Sequence, residues 1–124
     1  YYGTAQLSVE DLLHAGKNVI LEIDWQGAQQ VKKKIPETMP IFILPPSRET
    51  LRQRLTDRKT DDSSVIERRM AEADKEMSHY SDAEFLVIND DFDQALSDLE
   101  SIIHCQSLTL ARQMQNYAEL IASI

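Results

Sequence analysis

A lone cysteine, Cys105, in a chain of 124 residues leaves nothing with which to close an internal disulfide, so the disulfide-stapled classes of small exported domain are excluded. Positive charge is also in short supply. Thirteen lysines and arginines face 21 aspartates and glutamates, for a formal net charge of -8 and a pI near 4.8. Such a surface repels nucleic acid and anionic lipid, and neither is expected as a partner. Any phosphate the chain handles must be gripped locally by a few arginines working against the overall field. No apolar run approaches the length of a membrane span, and no charged and apolar leader opens the chain. Repeats and low-complexity segments are missing too. These lacks set the cytoplasm as the expected location.

What is present amounts to one domain's worth of material, 42% hydrophobic, enough for a single core. The opening Tyr1-Tyr2-Gly3-Thr4 reads as the interior of a longer protein, and the sequence is expected to be a truncated piece of one.

Strands and helices alternate along the chain. Ser8 to Leu13 looks like a capped helix start and Gly16 like its stop, which predicts a short helix at about 8 to 15. Asn18 to Asp24 is β-branched and apolar, a buried parallel strand with acids near its end. Trp25 to Lys34 continues as a helix stopped by Pro36, and Pro40 to Leu44 is a second strand closed by Pro45-Pro46. Ser47 can cap a helix carrying Leu51, Arg54 and Leu55, followed by a polar hinge from Arg58 to Ser63. Ser64-Val65-Ile66-Glu67 has the form of a capping box opening a helix to about Tyr80. A third strand at Glu84 to Ile88 leads through Asn89-Asp90-Asp91 into a long amphipathic helical stretch, with a break, reaching about Leu120. Right-handed βαβ units on a parallel sheet follow, so the fold class is α/β. Three parallel strands make a thin sheet, and further strands are expected beside them.

In open parallel sheets, ligands bind beyond the carboxyl ends of the strands. That edge holds Glu22 and Asp24, then Pro45, Pro46 and Ser47, then Asn89, Asp90 and Asp91. Their acids and amides could orient a base, a hydroxyl or a magnesium ion. Asp24 reads equally as a helix cap, and Asn89 to Asp91 as turn formers. Arg54, Arg58, Arg68 and Arg69 flank the polar hinge, either as a flap over transferring phosphates or as a solvated face paired with Asp57, Asp61, Asp62 and Glu67. His14, His79 and His104 lack metal-ligand spacing, and Cys105 lies in an apolar helix pattern; core or surface roles are expected for them, and no metal-ligating set is assigned.

Taken in order, Tyr1-Tyr2-Gly3-Thr4, Ile20 to Gly27, Ile43-Leu44-Pro45-Pro46-Ser47, the series Arg54-Leu55, Arg58, Thr60, Ile66 and Arg69, and Val87 to Asp91 resemble guanylate kinase over essentially the whole chain. The resemblance implies a partial P-loop nucleoside-monophosphate-kinase fold, a parallel sheet flanked by helices with the central P-loop strand missing. It implies the carboxy-terminal part of one guanylate kinase domain. Residues 1–17 would end the GMP-binding region, 18–53 and 81–124 would form the core, and 54–80 the lid and following helix.

The implied activity is ATP-dependent phosphorylation of GMP. Tyr2 matches the tyrosine that binds the GMP phosphate, Thr4 and Asp24 match guanine contacts, and Glu22 stands where a second acid lies near phosphate and magnesium. Arg58 and Arg69, catalytic and ATP-binding by resemblance, match the lid arginines, and Asn89 matches a position near adenine. Lys59 departs from a common glycine, which implies a stiffer or differently hinged lid. A Gly-x-x-x-x-Gly-Lys-Ser/Thr loop is absent from these residues, as are the family's paired arginines for GMP phosphate. Mg2+ would be held mainly by ATP and that missing loop, the missing amino-terminal segment would be needed as a partner, and the chain alone is expected to be inactive. The oligomeric state, a homo-oligomer included, is left open. A non-catalytic guanylate-kinase-like interaction module and a different nucleotide kinase of the same architecture are the competing readings.

Overall fold

The computed structural model describes residues 2–58 and 62–124, with backbone alone for 2–7 and 58; Tyr1, Lys59, Thr60 and Asp61 lie outside the described residues. The elements in order are α1 (Tyr2–His14), α2 (Trp25–Lys34), β1 (Ile41–Leu44), α3 (Arg48–Arg58), α4 (Ser63–Met77), a 3-10 turn (Tyr80–Asp82), β2 (Phe85–Ile88), α5 (Phe92–Ser107), α6 (Leu110–Asn116) and α7 (Ala118–Ala122). They fall into two compact units, Tyr1–Glu22 with Leu99–Ile124, and Ile23–Asp98.

In the second unit β1 and β2 pair in parallel, Ile41 opposite Phe85 through Leu44 opposite Ile88. Two further bonds prolong the ladder, Glu84 N to Pro40 O at 3.0 Å and Asn89 N to Leu44 O at 2.7 Å. Both strands consist of apolar side chains, as a sheet between helices requires. The buried core comprises Val31 of α2, Ile66 and Met70 of α4, Val87 of β2 and Ala95 of α5. Ile66 and Met70 are four apart, one turn of one helix face, which turns that face of α4 inward. α3 and α4 are tied at their surface by Arg48 to Asp74 (Nη2 to Oδ2, 2.7 Å) and by Arg52 to Glu67. These ties are exposed, so solvent screens them and each contributes little.

In the first unit α1 ends at His14 and the chain turns away at Gly16, whose φ of 80° lies in the left-handed region that an L side chain resists. Gly16 N and Lys17 N donate back to Leu13 O and Leu12 O at 3.0 Å each. α6 supplies the rest of this cap. Arg112 Nη2 donates to Gly16 O and to Asn18 Oδ1, both at 2.9 Å, and Gln115 Nε2 reaches His14 O at 3.4 Å. A helix end whose carbonyls lack an intrahelical partner is thus satisfied from a segment far along the chain.

Four sequence expectations are corrected. Residues 18 to 24 run outside any strand ladder, because ladder bonds need a neighbour and, among the described residues, only β1 and β2 pair. Composition reports the tendency to extend, not whether a partner is there; Ile20 is left 73% exposed. The cap of α4 is Asp62, not Ser64: Asp62 Oδ1 accepts from Val65 N at 3.1 Å, and the Ser64 hydroxyl donates to the same oxygen at 2.6 Å. α4 also ends at Met77, and Tyr80 belongs to the 3-10 turn. α1 begins well before residue 8; Gly3 and Thr4, weak helix formers, hide that start in the sequence. Ser47, by contrast, does cap α3, with Thr50 N donating to its hydroxyl at 3.0 Å. The long carboxy-terminal stretch is helical with breaks, as its pattern requires.

Candidate functional site

Because β1 and β2 are parallel, their carboxyl ends share one edge, where Pro45, Asn89 and Asp90 follow the strands. Arg54 of α3 reaches this edge, its guanidinium donating to Asn89 O at 2.7 Å and to Asp90 O at 3.3 Å. Asp91 Oδ2 accepts from Gln94 N at 3.3 Å and starts α5. The turn reading of Asp91 is therefore satisfied by a cap. Arg54, grouped from the sequence with the phosphate-covering arginines, instead binds two backbone carbonyls.

Asp24 is the N-cap of α2, its Oδ1 accepting from Gly27 N at 2.8 Å. One carboxylate oxygen suffices for the cap, and a carboxylate has two, so capping and ligand recognition do not compete at this exposed residue. The next residue is held from outside its own helix. Trp25 N donates to Glu76 Oε2 of α4 at 3.0 Å, and the Trp25 ring lies flat on His79, centroids 3.6 Å apart and planes 9° from parallel.

A polar seam continues from there. Trp25, Gln29 and Lys32 lie at i, i+4 and i+7, one face of α2, and meet the stretch from α4 to β2 in sequence. Gln29 Nε2 donates to Asp82 Oδ2 at 3.3 Å, and Lys32 Nζ stands 3.6 Å from Glu84 Oε1. Lys32 Nζ also donates to Pro36 O and Thr38 O, at 2.7 and 2.6 Å, fixing the turn out of α2. His79 Nδ1 stands 3.5 Å from Asp82 Oδ2.

Of the residues singled out from the sequence, Tyr2 and Thr4 lie in α1 and Arg58 ends α3, their side chains outside the described residues. Glu22 is exposed in the extended segment of the first unit, whereas Asp24 belongs to the second. Arg69 is half-buried on α4, one turn from Ile66. The structure brings Asp24 to the end of α4, and Asn89 to Arg54. Of the acids expected to pair with Arg54, Arg58, Arg68 and Arg69, Glu67 pairs with Arg52, whose hydrogen bond and charge hold the Glu67 carboxyl below its usual range. Asp62 is lowered by the Ser64 hydroxyl and the Val65 N–H. An open cleft of about 410 Å³ along Arg48, Arg52, Thr56 and Met70 gathers none of the expected site residues. His79, for which a core or surface role is expected, stacks on Trp25.

Comparison with known proteins places this arrangement. The solved guanylate kinase from Anaplasma phagocytophilum superposes with a TM-score of 0.68 at 29% identity, covering 83% of this chain and 48% of that one. The fold is thus that of the P-loop nucleoside-monophosphate kinases, here an α/β part with a two-stranded parallel sheet flanked by helices. The guanylate kinase family model matches residues 1–106. The guanylate kinases of Saccharophagus degradans and Shewanella denitrificans are 55% and 52% identical over all 124 residues. This chain belongs to the guanylate kinase family. It spans about 60% of the length of those curated relatives.

Proposed function

We propose that the whole protein of which this chain is part is an ATP:GMP phosphotransferase. What supports the reading most directly, beside the family match, is the Asp24 carboxylate. It is fixed by one oxygen at the first turn of α2 and exposed, where an acceptor can pair with the ring donors that distinguish guanine from adenine. Tyr2 would bind the GMP phosphate, Thr4 a guanine edge, and Glu22 would stand near the phosphates. Arg58 and Arg69 would face the ATP phosphates, and Asn89 the adenine.

A GMP phosphate oxygen attacks the γ-phosphorus in line. The new P–O bond forms as the bond to the β-phosphate oxygen breaks, leaving GDP and ADP with no covalent enzyme intermediate. The protein's part is geometry and charge: the lid arginines neutralise oxygens of the group in flight, and closure excludes water. Magnesium bound with ATP supplies charge neutralisation at the phosphates. Among the described residues no group of three or more His, Cys, Asp or Glu converges to hold it. On this reading ATP and a glycine-lysine loop elsewhere in the whole protein hold it.

That same segment would lie against the apolar strands, and without it these 124 residues would not turn over. No described helix is long and apolar enough to cross a membrane. The test is GMP-dependent ADP release from ATP by the whole protein, by this chain, and by the whole protein with Arg69→Ala. Activity in the whole protein, silence in the chain, and a fall in kcat on the order of a hundredfold for Arg69→Ala are expected. A silent whole protein would move the family member to a non-catalytic interaction module.

A further inference from the structure

The first backbone N–H groups of a helix have no intrahelical acceptor. At the start of α2 two of them are met by carboxylates of different origin. Asp24 takes the N–H of Gly27, the third helical residue, and Glu76, from the end of α4, takes the N–H of Trp25, the first. Both charges also sit where the helix dipole favours them. Trp25 is then pinned through its ring as well as its backbone, by the flat stack on His79. Asp24 is exposed, and the bond that holds its side chain is the cap bond to Gly27 N of the same helix. Its position is inherited from the residue that follows, and that residue is held by α4.

We propose that Glu76 and His79 are positioning residues for the Asp24 carboxylate, so that the helix bearing Arg69 also sets the geometry of guanine recognition. The inference rests on the reading of Asp24 as the guanine acid. Arg69 and Glu76 are seven residues apart on α4, two turns, about 10 Å along the axis and within about 20° of the same face. One rigid element therefore carries the arginine assigned to ATP and the anchor of the acid assigned to GMP. A shift of α4 is felt at both. Neither Glu76 nor His79 need touch a substrate for this; each acts through Trp25.

The experiment uses the whole protein with Glu76→Ala, Glu76→Gln, His79→Ala and His79→Phe. It measures KM for GMP and for ATP, kcat, the preference for GMP over inosine monophosphate, which lacks the 2-amino donor, and the urea midpoint. Glu76→Ala is expected to raise KM for GMP on the order of tenfold and to narrow the preference, leaving KM for ATP unchanged. Glu76→Gln keeps an acceptor for Trp25 N and His79→Phe keeps a flat ring, so both are expected to restore much of what the alanines lose. Unchanged KM and preference in the alanine variants would overturn the proposal. So would a joint rise of both KM values with a fallen urea midpoint, which assigns the seam to stability alone. Asp24→Asn in the same assay separates the two levels. If it leaves guanine preference intact, the reading of Asp24 fails and this inference with it. If it destroys that preference while Glu76→Ala is neutral, only the positioning role fails.

Discussion

Asp24 has a structural task that the fold makes visible and a recognition task that the family suggests, and a pair of substitutions pulls them apart. Asparagine ranks with aspartate as an N-cap, so Asp24→Asn keeps the bond to Gly27 N and loses only the charge at the start of α2. At an exposed helix end that charge contributes about 0.3 kcal/mol. Asp24→Ala removes the cap as well and costs about 1 kcal/mol. Recognition behaves differently, because a hydrogen bond to a charged acceptor is worth about 1.5 to 3 kcal/mol. At 1.36 kcal/mol per decade this is a loss of about 10- to 150-fold in kcat/KM for GMP. The expected signature in the whole protein is therefore an asparagine variant with a nearly parental urea midpoint and badly impaired use of GMP, and an alanine variant impaired in both. Coupled ADP release and urea titration on the same preparations give the two readings. If the asparagine variant phosphorylates GMP as well as the parent, while alanine loses stability alone, Asp24 is a cap and nothing more.

Met70 of α4 is 2% exposed; Met70→Ala should cost about 2 to 5 kcal/mol and lower the urea midpoint sharply, against little effect from an exposed control such as Glu72→Ala. The carboxyls of Asp62 and Glu67 titrate below their ordinary values of 3.8 and 4.5 in the folded state. Their contribution is fully present above those values and is lost as pH falls through the lowered ones. The difference in urea midpoint between parent and Asp62→Ala should accordingly hold above the ordinary value of 3.8 and shrink as pH falls below it. In the unit Ile23–Asp98, Ile23, Ile43, Phe85, Leu86 and Ile88 are 36 to 54% exposed, about two side chains' worth of unburied apolar surface. Covering it is worth about 4 kcal/mol, so the whole protein should show a higher urea midpoint than this chain; equal midpoints would mean that nothing covers these strands.

The fold was legible wherever a segment's own pattern decides its state. α2 is bounded by a capping acid and a proline, α3 by Ser47, and β1 and β2 are short apolar runs between turn formers. It was illegible where the outcome depends on a neighbour. Residues 18 to 24 have strand composition and no ladder, and Asp62 and Ser64 are both competent caps whose competition is settled by local geometry. The candidate site divides in the same way. Acids and amides after strands could be picked out from topology, but a guanine contact at Asp24 came only from resemblance. Arg54 shows why arginine spacing alone misleads. The same guanidinium that suits a phosphate also suits two backbone carbonyls, and only the fold tells which lies within reach.

The seam along α2 has ends of unlike character. At one end two rings are pressed face to face; at the other Lys32 and Glu84 form an exposed ion pair. Dissolved salt screens charges beyond about 8 Å at physiological ionic strength and sooner as it is concentrated, yet barely weakens ring stacking. Raising the ionic strength would therefore fray the seam from the Lys32 end while the Trp25 end stays shut.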